Sequence, residues 1–150
     1  MLHDFLNNHI IYDDMEEIYA AADWSVLKGK SFYISGATGM IASYFVMFLI
    51  YLNEVRSFDI QIYVGIRKIA KAQWRFGDYV DRKYFYVVEG DVVNDFPINK
   101  KINYIVHAAS LASPQYYGGM PVETMLPNIV GAYRLLESAR KYGTDRKSVV

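Results

Sequence analysis

The chain has no cysteine among its 150 residues. That excludes a disulfide framework and thiolate metal ligation, and it fits a reducing compartment. Histidine is scarce as well. His3, His9 and His107 are scattered with no ligand spacing between them, so no metal site is expected. An excess of one charge is also missing: sixteen Lys and Arg balance sixteen Asp and Glu, which removes the electrostatic case for a nucleic-acid partner. The longest mostly apolar run, residues 40–52, is well short of the roughly 20 residues that cross a bilayer. Met1-Leu2-His3-Asp4 offers no basic region ahead of an apolar one, so it does not read as a secretory signal. The expectation is a cytoplasmic chain with no membrane partner.

What is present is the composition of a globular chain, 53% hydrophobic and about one domain long. One stretch organises it. A short apolar run at residues 32–34 meets Ser35-Gly36-Ala37-Thr38-Gly39, and an apolar helix pattern continues from Met40 to about Asn53. Strand, tight turn and helix in that order form the phosphate-binding start of a dinucleotide fold. Gly36 lets the chain reverse where a Cβ would clash. Gly39 lets backbone N–H groups approach a pyrophosphate, and the first helical turn (Met40, Ile41) offers unpaired N–H donors and the positive end of the dipole. Ala42 stands where a third glycine would fall, at a close helix–strand contact. The plainer reading of these residues is a glycine turn before a buried helix.

Other elements can be read along the chain. Residues 1–30 precede the first strand. Asp13, Asp14, Glu16 and Glu17 suggest a helix start, with Met15, Ile18, Tyr19 and Ala22 at helical spacing behind it. The helix after the glycine turn carries Ile41, Phe45, Phe48, Leu49 and Leu52 as one stripe, but its other side is apolar too. A helix apolar all round is covered on both sides, so the arm is expected to pack over its outer face. Strands are expected at residues 60–65, 84–88 and 104–110, with a helix from 68 to about 76 between the first two. Pro121 suits the first turn of a helix reaching about Tyr142. Pro127 inside that helix should kink it. Ile129, Ala132, Leu136 and Ala139 are expected to face the sheet, leaving Tyr133, Leu135 and Tyr142 outside. Residues 147–150 look like the opening of a fifth strand.

Gly36-Ala37-Thr38-Gly39-Met40-Ile41-Ala42 resembles the G-x-T-G-x-x-G loop of the extended short-chain dehydrogenase/reductases, the NAD-dependent epimerase/dehydratase family, with the last glycine replaced. A second stretch is similar to one branch of that family, the nucleotide-sugar decarboxylases and 4,6-dehydratases of the UDP-glucuronate decarboxylase and dTDP-glucose 4,6-dehydratase type. Their run is His-x-Ala-Ser-x-Ala-Ser-Pro-x-x-Tyr, then Pro-x-x-Thr-x-x-x-Asn-x-x-Gly. The chain matches it at His107, Ala109, Ser110, Ala112, Ser113, Pro114, Tyr117, Pro121, Thr124, Asn128 and Gly131, and departs at Leu111, where proline is usual. The likeness covers about residues 31–150.

The resemblance implies a three-layer α/β fold: a doubly wound, Rossmann-type parallel sheet of order 3-2-1-4 with the start of strand 5. Residues 1–30 would be a helical arm and residues 31–150 an NAD(P)-binding domain without the catalytic and sugar-binding half. Gly36, Thr38, Gly39, Met40 and Ile41 would hold the pyrophosphate. Asp91 and Val92 would meet the adenine, although an Asp after a strand is also an ordinary turn residue. Ala108, Ala109 and Ser110 would line the nicotinamide side, and Ser113 and Tyr117 would touch substrate. Asn128 would support the catalytic lysine. Arg67 stands where NAD-binding relatives carry Asp, which points to NADP over NAD; the alternative is that Arg67, Lys68 and Lys71 are solvated cations. His107 is expected to shape its loop and not to act as acid or base.

Tyr79 and Lys83 match the family's catalytic Tyr-x-x-x-Lys, but they precede the third strand and are expected to be structural. The family's catalytic Ser or Thr and its Tyr-x-x-x-Lys come after the fifth strand, so the 150 residues alone are not expected to turn over substrate. In the parent enzyme, a tyrosinate would take the C4 hydroxyl proton of a nucleotide sugar as hydride leaves C4. The 4-keto group then acidifies C5 for loss of water or carboxylate. A homodimer is expected. The rival reading is a non-catalytic NAD(P)-sensing module on the same fold.

Overall fold

A computed structural model describes residues 4–94, 98–111 and 118–144. Its order is α1 (His9–Ala20), β1 (Ser31–Ser35), α2 (Met40–Arg56), β2 (Gln61–Ile66), α3 (Ala70–Phe76), β3 (Phe85–Glu89), β4 (Tyr104–His107), α4 (Pro121–Leu126) and α5 (Ala132–Tyr142). The four strands form one parallel sheet in the order β3-β2-β1-β4. This is the expected Rossmann-type arrangement; residues 147–150, expected to open a fifth strand, lie outside the described residues. Parallel strands buried on both faces need apolar side chains in both directions, which Phe32, Tyr33 and Ile34 supply in β1 and Ile62, Tyr63 and Val64 in β2.

Those side chains divide into two cores. On one face Phe32, Ile34, Ile62, Val64, Ile66 and Phe85 pack with α2 and with Ala72 and Phe76 of α3. On the other face Tyr33 and Tyr63 pack with Ile98, Ile102 and Leu135 of α5. Between β3 and β4 the segment around Ile98 and Ile102 covers this second face, with Lys100 placed over the Tyr63 ring.

Residues 46–52 of α2 are all buried, nearly two full turns, so no side of the helix meets water there. The arm provides the second cover. Met15 and Phe5 are fully buried in the same core as the sheet. Trp24 stands edge-on to Phe48, and Tyr12 and Tyr19 stand edge-on to Tyr51. The Tyr44 hydroxyl donates to Asp14, and the Tyr51 hydroxyl donates to Glu16 at 2.5 Å. Arg56 closes the end of this contact, 2.6 Å from Glu16 and over the Tyr19 ring.

Three expectations need correction. Helix α1 begins at His9, not at the acidic cluster, because Asn8 caps it by accepting from the Ile10 and Ile11 N–H groups. Asp14 and Glu16 sit mid-helix as partners for α2, and Ala22 lies beyond the helix end. In α2, Ile41 is 80% exposed and not part of the buried stripe. At Pro127 the long helix after Pro121 widens: residues Pro127–Gly131 form a π turn between α4 and α5, and this changes which residues face the sheet. The wider turn absorbs a proline that lacks an N–H. It also holds an extra residue, which rotates the helix beyond it by about 100°. Leu135 therefore faces the core at 3% exposure, while Ile129 and Leu136 turn outward at 58% and 53%.

The arm contact is sensitive to alkali. Burial first, and then the hydrogen bonds to Asp14 and Glu16, push the Tyr44 and Tyr51 phenols up from 10.0 to about 12. A folded-state value above the unfolded one favours the protonated fold. The stabilisation is complete below the unfolded value of about 10 and is lost as pH rises through about 12. Melting temperature should therefore fall across that window as tyrosinate absorbance rises. In Tyr44→Phe/Tyr51→Phe the fall should be shallower; an identical profile would refute the assignment.

Candidate cofactor site

The carboxyl ends of parallel strands are where ligands bind in such sheets, and every described candidate residue but Asn128 leaves one of those ends directly. β1 runs into Gly36, β2 into Arg67, β3 into Asp91 and β4 into Ala108. Gly36 has φ +64°, and a Cβ there would lie 2.7 Å from both the Ala108 carbonyl oxygen and Ala109 Cα. The turn after β1 is thus pressed against the backbone leaving β4. No side chain fits between them. Gly36 N–H also donates to the Gly65 carbonyl at 2.9 Å, which ties the turn to β2.

Gly39 caps α2 without a side chain, and a Cβ on it would come 3.2 Å from the Gly36 carbonyl oxygen. Met40 and Ile41 stand 82% and 80% exposed in the first turn. No side chain caps the helix, so the Met40 and Ile41 N–H groups have no intrahelical acceptor and the positive dipole end lies there, while Gly39 N–H donates to the Gly36 carbonyl at 2.9 Å. Thr38 lies between the glycines, and its carbonyl accepts from Arg75 Nη2 of α3 at 3.4 Å.

A hydrogen-bond hub beneath the turn fixes both loops. Ser35 Oγ is 2.7 Å from His107 Nδ1, and it accepts from the N–H groups of Ala108 at 3.1 Å and Ala109 at 3.3 Å. His107 Nε2 is 2.9 Å from the Pro127 carbonyl oxygen. A carbonyl only accepts, so Nε2 carries the proton and Nδ1 accepts from the Ser35 hydroxyl. Ser35 then uses its one donor and both lone pairs. His107 is held at both nitrogens, as a loop-shaping residue is, and the π turn is what presents Pro127 to it.

The remaining candidates divide. Asn128 donates to Ser110 Oγ at 3.1 Å and to the Thr124 carbonyl at 2.8 Å, linking the π turn to the β4 loop. Ala108, beside Gly36, and Ser110 are exposed, as a cofactor surface requires. Asp91 accepts from Val93 N–H at 3.0 Å, the turn role its residue type allows. The Val92 side chain is turned inward: a Cβ on Gly131 would come 2.9 Å from its Cγ1. Arg67 and Lys68 are exposed. Ser113 and Tyr117 lie outside the described residues. Tyr79 is buried, packed on Phe5 at 4.8 Å with its hydroxyl on Asp4, and Lys83 is exposed, so this pair is structural.

Two residues were not evident from sequence. Ser35 reads as the last residue of a strand, and its partner lies 72 positions away. Arg75 reads as one cation on a helix surface, and only the fold brings it against Thr38.

An open parallel sheet with a bare helix start above its first strand defines a dinucleotide-binding α/β protein. A family model, the NAD dependent epimerase/dehydratase family, matches residues 32–150. The chain belongs to that family. Among solved structures it is similar to Pen from Bacillus thuringiensis, with a TM-score of 0.63 and 23% identity over 79% of this chain and 36% of that one. It is also similar to the UDP-Glc/GlcNAc 4-epimerase from Campylobacter jejuni, with a TM-score of 0.60 and 22% identity over 76% and 34%. At those identities the likeness is one of fold. The chain spans about a third of the length of these structures. No curated protein matches it. The residues present fit the NAD(P) of the family: the Gly36 turn is packed so closely on the β4 loop that no side chain stands between them, and α2 begins beside it without a side-chain cap.

Replacing Ser35 with alanine removes the partner of Ala109 N–H and of His107 Nδ1, and one of the two acceptors of Ala108 N–H, whose other is the Ser35 carbonyl. Losing such part-buried hydrogen bonds costs about 1–2 kcal/mol. Chemical denaturation should show a loss of that size; unchanged stability would remove Ser35 from the hub.

Proposed function

We propose that this chain is the NAD(P)-holding part of a nucleotide-sugar enzyme working through transient oxidation at sugar C4, a dehydratase, decarboxylase or epimerase. The observation that carries the reading is the pairing of the bare turn at Gly36–Gly39 with the β4 loop, where Asn128 bonds Ser110 across the π turn. Family membership supports the nicotinamide chemistry, and the run from His107 to Gly131 supports the sugar branch.

In this reading, the backbone of Thr38, Gly39, Met40 and Ile41 binds the pyrophosphate and the helix dipole offsets its charge. Arg67 meets a 2′-phosphate, Asp91 and the Val92 backbone hold the adenine, and Ala108, Ala109 and Ser110 give the nicotinamide a flat surface. When bound, the nicotinamide supplies reversible acceptance of hydride. Asn128 keeps the β4 loop and the π turn in fixed register, and Ser113 and Tyr117 contact the sugar nucleotide.

The exposed face of Val122, Met125, Ile129, Tyr133 and Leu136 runs along α4 and α5 and suits a second copy of the chain; sedimentation finding only monomer would remove that element. The non-catalytic sensor remains the second reading, supported by the same cradle, and a Tyr-x-x-x-Lys after the fifth strand of the parent protein discriminates against it.

Titration with NAD and NADP tests the cofactor assignment. The wild type should bind NADP more tightly. Arg67→Asp should lose on the order of tenfold in NADP affinity while NAD changes by less than about threefold. Equal affinity for both nucleotides in the wild type would refute Arg67 as the phosphate partner.

A further inference from the structure

Arg67 is not alone at the end of β2. The parallel pairing sets Ile66 opposite Glu89, the last residue of β3. Glu89 Oε1 accepts from Ile69 N–H at 3.0 Å, two residues beyond Arg67, and Gly90 N–H donates to the Ile66 carbonyl at 2.8 Å. A carboxylate from the neighbouring strand is therefore anchored over the segment joining β2 to α3. Arg67, Lys68 and Lys71 are the cations on that segment and the turn after it, and all three are exposed.

We propose that Glu89 is a specificity-determining residue of the cofactor site, which favours a free 2′-hydroxyl on the adenosine ribose and limits the preference for a 2′-phosphate given by Arg67. The proposal rests on the NAD(P) reading above. A carboxylate accepts a hydrogen bond from a ribose hydroxyl and repels a phosphate. The bond to Ile69 matters because an untethered surface glutamate would swing away and be screened. Arg67 and Glu89 thus act in opposite directions on one position of one ligand. Dinucleotide folds usually take such an acid from the end of the second strand; here the third strand delivers it.

The test is calorimetric titration of the 150-residue chain with NAD and with NADP, for wild type, Glu89→Gln and Glu89→Ser. Both substitutions remove the charge; Glu89→Gln keeps an acceptor that can reach Ile69 N–H, Glu89→Ser is too short to do so, and circular dichroism monitors the fold. NADP affinity should rise on the order of tenfold in Glu89→Gln, with NAD unchanged or slightly weaker. Glu89→Ser should move the ratio in the same direction, and added salt should narrow the NADP difference from wild type. An unchanged NAD-to-NADP ratio in both variants, with both nucleotides still bound, overturns the role of Glu89 alone. Failure of the wild type to bind either nucleotide overturns the cofactor reading and this proposal with it.

Discussion

The site depends on one close approach, the contact of Gly36 with the backbone of Ala108 and Ala109. It joins two chain segments that are distant in sequence and leaves no volume between them for a side chain. Ser35 and His107 hold the contact from below. The serine hydroxyl bonds both outgoing amides and the imidazole, and the imidazole reaches the π turn. Four elements meet at that hub: β1, β4, the loop beyond β4 and the π turn ahead of α5. A displacement at any of them changes the surface on which a nucleotide would lie. Main-chain donors placed by such a hub are fixed before any ligand arrives, so binding them orders little that is not ordered already.

The arm serves the same end indirectly. Helix α2 starts at the site and is apolar on every side, so without a cover its outer face would lie in water. Met15 and Phe5 enter the core that also holds the sheet, and the phenols of Tyr44 and Tyr51 bond the arm's carboxylates. These tyrosines give an apolar helix face a polar rim where it meets α1. A Tyr–carboxylate contact of this kind is directional, whereas aliphatic packing alone would leave the arm free to slide.

Local pattern revealed a good deal of this. The glycine turn and the need to cover α2 come from spacing and from the all-round apolar character of residues 46–52, and the parallel order of the strands from the family resemblance. Features set by tertiary placement were hidden. The start of α1 went to Asn8 because a cap depends on a backbone bend, while the acidic residues nearby had partners on another helix. Pro127 announced a break, but that the helix widens there into a π turn and turns the Pro127 carbonyl toward His107 is set by tertiary placement. Glu89 carried no sequence signal; only the register with Ile66 brings it to the segment that holds Arg67.

The central claim is that the main chain from Thr38 to Ile41 is the anion-binding surface. Amide chemical shifts of the isotopically labelled chain, monitored during addition of NADP, test it most directly. The account predicts the largest saturable changes at Thr38, Gly39, Met40 and Ile41, with Ala108 and Ala109 next. Saturable binding that leaves those amides unmoved and perturbs residues elsewhere would contradict it.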